Sequence, residues 1–252
     1  MPASSLSLVR LQKSTFRAHI VDALRESILD GEIKPGTAVT EANLAEQFGV
    51  SRGPLREAMR QLIDEGLLVT VPYTETRVVD LSLAAIHEIY SMRVTLEIFA
   101  FEQIWNKRDT AFRKELLARQ ARLTKAIDAK SDRESIQSEL ELHSFVYEAT
   151  NHSILLKSWD SIKGRLQLYW AAHHRAHGIT GPRRDGHDGY IATALGDDLD
   201  ALRTEITSHM RRGREQTENF VAHLEQPPTV PQAPAKATAT ARVRQINRDQ
   251  NQ

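Results

Sequence analysis

From Ser82 to Leu224 the chain carries helical patterning and no strand signal, broken only by short polar or glycine-bearing stretches. The breaks are "NKRD", "AKSD", "TNHS", "HGITGPRRDG" and "GDD", and they divide the region into helices expected over 83–107, 109–129, 132–151, 153–176, 186–196 and 198–224. Six helices joined by short turns cannot build a sheet. They must bury their apolar stripes on one another as an all-α bundle.

The first third reads differently. Phe16 to Leu29 is helical, with Ile20, Ala23, Leu24 and Ile28 on one face, and "KPG" at 34–36 is a turn. A second short helix is expected from Glu41 to Phe48, capped by Thr40 and stopped by Gly49. Ser51 is a suitable N-cap for a third, with Pro54 in its first turn and Gly66 at its end. "LLVTV" and "TRVVDL" then alternate as two strands. Three helices and a two-stranded ribbon are the order of a winged helix-turn-helix. The chain is thus expected to be mostly α: a flexible leader over 1–14, a winged helix-turn-helix over 15–80, an all-helical domain over 81–225 and a disordered tail over 226–252. The tail, rich in Pro, Ala, Thr and Gln, has almost no large apolar residues to bury.

Composition narrows the chemistry. There are no cysteines, so a metal site must use His, Asp or Glu. Lys plus Arg equal Asp plus Glu at 33 each, so any basic surface is local. No apolar run approaches the roughly 20 residues that span a bilayer, and the N-terminus lacks a signal-peptide core. The expected location is cytoplasmic, with no membrane partner.

In the third helix Arg52, Arg56 and Arg60 are spaced four apart and share one face. The second helix of a helix-turn-helix leads into the major groove with its N-terminal residues. Arg52 and Arg56 sit there, suited to guanine edges or phosphate. A solvated helix face is the plain alternative. Acids slightly outnumber bases over residues 1–80, so attraction to phosphate rests on this stripe with Arg10, Lys13 and Arg17.

In "ELELH", Glu139 and His143 share a helix face. His187 and His209 flank the "GDD" turn, roughly 14 Å before it and roughly 18 Å after it at 1.5 Å per helical residue. On antiparallel helices the two imidazoles can meet. One carboxylate and three imidazoles suit a divalent metal without thiolate. Spacing alone equally allows ordinary core or surface histidines. Arg93 has Glu97 as an ordinary i,i+4 partner, and Arg165, Tyr169 and His173 form another such stripe.

The stretch "LRESILDGEIKPGTAVTEANLAEQFGVSRGPLREAMRQLIDEGLL" resembles, nearly position by position, the DNA-binding domain of GntR-family bacterial transcription regulators. The resemblance implies DNA contact by Arg52 and Arg56, with Ser51, Gly53 and Arg60 beside them. Gly53 stands where a hydroxyl residue is common, and Glu75 in the wing where glycine is usual. Residues 83–225 are similar to the FCD effector-binding domain, through Glu139, His143, Asn151, His187, "LGDD" and His209. The similarity implies a divalent metal on Glu139, His143, His187 and His209, zinc first and nickel or manganese as alternatives, with Glu139 where Asp is usual. It places Arg93 near the effector. The Arg165/Tyr169/His173 stripe is a further lining candidate by its spacing, and equally a surface face.

The expected function is a homodimeric, sequence-specific repressor, not an enzyme. It would bind a near-palindromic double-stranded operator and be released by a small carboxylate. The alternative is a metal-dependent hydrolase with an accessory winged-helix domain, since a His cluster can activate water.

Overall fold

A computed structural model describes residues 13–71 and 75–225. Nearly all of the expected leader, the whole tail from 226 and the wing turn at 72–74 lie outside the described residues. Among those described there are nine α-helices and three short strands, so the chain is mostly α as its patterning predicts.

The head begins with α1, Lys13–Leu29, which buries Ile20, Val21, Leu24 and Ile28 along one face. β1, Ala38–Val39, is followed by α2, Glu41–Gln47, where the Thr40 hydroxyl accepts from the Asn43 N–H at 3.2 Å. α3, Arg52–Asp64, turns Leu55, Ala58, Met59 and Leu62 inward. Ser51 occupies its N-cap position without making the expected side-chain capping bond. Gly66, at φ +75°, closes the helix in a conformation that a residue with a Cβ rarely takes.

β2, Leu68–Val71, and β3, Glu75–Val78, form the expected antiparallel ribbon. β1 adds a third strand on the outer edge of β3, pairing Ala38 with Arg77, where sequence reading expected two strands. Two residues are too few to show a period-two pattern, so pairing with β3 defines this strand rather than local propensity.

Ser82 caps α4, Leu83–Ile104, which runs on into a 3₁₀ turn over Trp105–Lys107. The bundle continues with α5, Thr110–Asp128; α6, Asp132–Ala149; α7, Ser153–His177; α8, Asp188–Leu195; and α9, Leu199–Glu225. Each lies within a few residues of its expected span. Gly178, at φ +63°, ends α7, and Asn151, at φ +53°, makes the sharp break between α6 and α7.

Two apolar cores result. One lies within the bundle around Phe101, Tyr147, Trp159, Tyr190 and Ile206. The other lies within the head around Leu24, Leu55, Leu62 and Val78, and it includes Leu168 from α7. A bundle helix therefore completes the core of the head.

Candidate functional site

The candidate DNA face is the outer side of α3. Arg52, Gly53, Arg56 and Arg60 are all exposed, opposite the buried Leu55/Met59/Leu62 side. Arg56 is not idle in the free chain. Its Nε and Nη2 donate to both oxygens of Glu41 on α2, at 2.8 and 2.9 Å. The bond to Arg56 holds the Glu41 carboxyl below the usual carboxylate range, and the charges of Arg52 and Arg60 help. One acid thus sits in the field of all three arginines and offsets their mutual repulsion.

A Cβ at Gly53 would meet nothing within 4 Å among the described residues, so no contact with them requires glycine there. Arg17 reaches Glu57 of α3 at 4.0 Å, so this part of the expected basic patch is engaged with an acid. Arg10 and the Lys13 side chain lie outside the described residues. In the wing, Arg77 Nη2 donates to Glu75 at 2.6 Å, which offsets the acidic departure noted at Glu75.

The second candidate site is buried in the bundle. His143 of α6, His187 just before α8, and His209 of α9 bring a ligating nitrogen each within 4.8 Å of the others. His143 Nε2 and His187 Nε2 are 3.3 Å apart. Glu139 stands beside this trio, 3.4 Å from His187 Nε2, but only the three histidines converge mutually. α8 and α9 fold back at the Gly-Asp turn as the spacing predicts.

His143 is oriented from behind. Its Nδ1 lies 2.7 Å from Glu97 Oε1 of α4, and this hydrogen bond fixes the ring and aims Nε2 at the cluster. Tyr147 donates to the other Glu97 oxygen at 3.3 Å. Burial, with the positive field of Arg93 and His187, holds His143 well below its ordinary pKa. Burial and the neighbouring His187 and His143 do the same for His209. Both are neutral imidazoles near pH 7, the ligating form. Burial pushes Glu139 up, but its bond to His187 and the nearby positive charges outweigh that and keep it low.

Arg93 is 2% exposed, yet its Nε and Nη2 make no hydrogen bond. Its nearest acid oxygen is Glu97 Oε2 at 3.9 Å, and its guanidinium lies over Trp159 and Trp170, 5.8 and 5.4 Å from their ring centroids. A buried guanidinium with unmet N–H groups is costly unless an acceptor arrives.

The other three effector candidates have neighbours of their own. Arg165 lies against Gly66 at the end of α3. The Tyr169 hydroxyl accepts from Ser82 N–H at 2.7 Å and donates to Ser82 O at 2.9 Å. His173 packs on His177 and Phe220, with ring centroids 4.7 and 5.4 Å away. Sequence reading missed Tyr147, Trp159 and Trp170, and took Glu97 only as a helix partner of Arg93. Glu97 had a usable signal, an acid in an apolar stretch, but its closest partner lies on another helix.

Two family descriptions match this chain: "Bacterial regulatory proteins, gntR family" over residues 16–78 and "FCD domain" over residues 88–212. Among similar proteins is the Bacillus subtilis (strain 168) "Uncharacterized HTH-type transcriptional regulator YdhC". It is 29% identical over 176 residues, 68% of this chain and 79% of that protein. The "Gluconate operon transcriptional repressor" of Bacillus licheniformis is 27% identical, covering 66% of this chain and 68% of its own. Of solved structures, "E. coli McbR/YncC" matches with a TM-score of 0.63 at 21% identity, covering 84% of this chain and all 100% of that one. A GntR regulator structure from Rhodococcus sp. RHA1 matches at a TM-score of 0.64 and 20% identity, over 81% of this chain and 98% of that one.

Proposed function

Since the chain belongs to the gntR family of bacterial regulatory proteins and carries an FCD domain, we propose that it is a repressor whose operator affinity is set by a small carboxylate bound beside a metal. That the chain is a transcriptional regulator and not an enzyme follows from the family itself, and the hydrolase alternative is set aside.

The observation that carries the effector reading is Arg93. Its unmet N–H groups, buried beside Trp159, Trp170 and Glu97, ask for a planar acceptor pair, which a carboxylate supplies. His143, His187 and His209 would hold the metal, with Glu139 adjacent. Three imidazoles, one backed by a carboxylate, suit zinc or nickel over manganese. A divalent ion there supplies a fixed positive charge that favours an anionic ligand. A relative named for the gluconate operon fits this class, gluconate being a hydroxycarboxylate.

On the DNA side, Arg52 and Arg56 lead the contacts, with Ser51, Gly53 and Arg60 at the periphery. The regulator acts in the cytoplasm as a homodimer on a near-palindromic operator, because a symmetric pair of heads reads a two-fold site. Among the described residues no helix is long and apolar enough to cross a membrane.

The test uses operator DNA selected from a random pool. Arg52→Ala and Arg56→Ala should each weaken binding, and a lost phosphate contact should lower the salt slope by about 0.9. Elemental analysis should show metal lost in a His143→Ala/His209→Ala chain, and calorimetry should show carboxylate binding lost in Arg93→Lys. Absence of specific DNA binding by the folded wild-type chain would sink the reading.

A further inference from the structure

α7 touches the buried site with one side and the DNA-binding head with another. Toward the site, Tyr147 donates to Glu97, and its ring stacks on Trp159 of α7 at 4.8 Å and 3°. Trp159 and Trp170 of α7 flank Arg93. Toward the head, α7 carries Gly164, Leu168, Tyr169 and Arg175. A Cβ at Gly164 would overlap the Glu65 carbonyl oxygen, at the C-terminal end of α3. A Cβ at Gly66 would lie 2.5 Å from the Ser161 carbonyl oxygen of α7. Leu168 is wholly buried in the head's core. Tyr169 clasps both backbone groups of Ser82, the cap of α4, and α4 carries Arg93 and Glu97. Arg175 Nη1 donates to Leu29 O at the end of α1, at 2.6 Å.

The Gly164/Glu65 and Gly66/Ser161 contacts are backbone against backbone. A side-chain contact can absorb a small shift by changing rotamer, but a backbone contact cannot. Trp170 is less than two helical turns from Gly164 on one continuous helix. Both tryptophans are buried, and Tyr147 stacks on Trp159, so their rings have little room to turn; a displacement that shifts the α7 backbone must either carry the end of α3 with it or break the contact.

We infer that α7 transmits the ligand signal: an anion taken up by Arg93 moves Trp159 and Trp170, and α7 passes that movement to α3 through the Gly164–Glu65 junction. The inference rests on the effector reading above. Gly164, Gly66 and Tyr169 are positioning residues in it, because none touches the ligand. The ligand's only requirement is a better fit to one placement of the head than to the other.

The chain has no cysteine, so two can be introduced for labelling without further changes. Glu46→Cys on α2 and Lys114→Cys on α5 are exposed positions in the two domains. Labelled full-length chain, diluted into unlabelled chain, reports head-to-bundle distance by pulsed electron spin resonance, with zinc chloride and acetate, lactate, succinate or citrate as probes. The wild type should give one distance population that shifts on addition of a carboxylate that binds. Gly164→Ala should shift or broaden it without ligand and abolish the response. Tyr169→Phe removes a hydroxyl but leaves the ring, so it serves if the glycine variant does not fold; it should weaken the response while leaving metal content unchanged.

With selected operator DNA, ligand should change wild-type affinity by about 5- to 150-fold and change it little in Gly164→Ala. Calorimetry separates two failures. A wild-type chain that takes up none of the carboxylates overturns the effector reading. Carboxylate binding with the same distances and the same operator response in wild type, Gly164→Ala and Tyr169→Phe overturns the transmission.

Discussion

Replacing Glu97 by glutamine tests the electrostatics of the buried site most directly. The carboxylate faces His143 Nδ1 at 2.7 Å, Tyr147 Oη at 3.3 Å and Arg93 Nε at 3.9 Å, and Glu97 and Arg93 are 0% and 2% exposed. Glutamine keeps the shape and one acceptor for His143 but removes the charge. Among the described residues no other carboxylate lies within ion-pair distance of Arg93. Leaving a buried charge unpaired costs about 3–5 kcal/mol. The Arg93 separation is too long for a hydrogen bond, which argues for the lower end, about 3 kcal/mol. At roughly 2–4 °C per kcal/mol, the melting temperature of metal-stripped protein should fall by about 6–12 °C. Zinc affinity should fall by about 10- to 100-fold, because the group that orients His143 is weakened. Scanning calorimetry and a competitive zinc titration measure the two effects. An added carboxylate should restore the glutamine variant more than the wild type, because it returns an anion to Arg93. Burial opposes all this by pushing the Glu97 carboxyl up, toward its neutral form. If melting temperature and zinc affinity are both unchanged, the carboxyl is already neutral and the counter-charge argument is refuted.

Glu41→Gln should free Arg56 for phosphate, tightening operator binding and steepening its salt dependence by up to about 0.9 in log–log slope. Fluorescence anisotropy across a salt series reads this, and an unchanged slope would show that Arg56 stays off the phosphates. Gly53→Ala should stabilise the chain by about 0.4–1 kcal/mol in urea unfolding, because the site is open and the unfolded chain loses freedom; destabilisation would contradict the open space. The His173 ring should titrate at about 4, held down first by burial and then by His177 and His174. Its unfolded counterpart titrates near 6.5, so between those values the unfolded chain binds the proton more readily and stability falls with falling pH. A histidine-selective NMR titration checks it, and a midpoint near 6.5 would show the ring to be solvated.

Five of the helices, α1, α2, α3, α6 and α7, were legible from the residues at their ends: Gly31, Gly49, Gly66, Asn151 and Gly178 all take positive φ there. The meeting of His143, His187 and His209 was legible for a related reason. One i,i+4 pair and one turn of known length convert sequence distance into height along a helix. Where a face pointed was legible; what it met was not. Arg165, Tyr169 and His173 do share a stripe, but nothing local says that it meets the head, Ser82 and Phe220. Arg93 and Glu97 read as a simple pair, although the closest partner of Glu97 is His143, 46 positions away. β1 escaped notice because pairing with β3, not its own two residues, defines it.

The burial of Leu168 in the head's core bears on how regulators of this architecture can be recombined. A head transplanted onto a foreign bundle loses Leu168, which its own chain supplies from far beyond the end of α3 at Asp64, and any side chain in place of Gly164 would meet the Glu65 carbonyl. Chimaeras cut at the short 79–82 connection should therefore misbehave unless the head-facing side of α7 travels with the head. The domain border that matters for exchange is not a point in the sequence but a surface that includes one side of a helix in the other half.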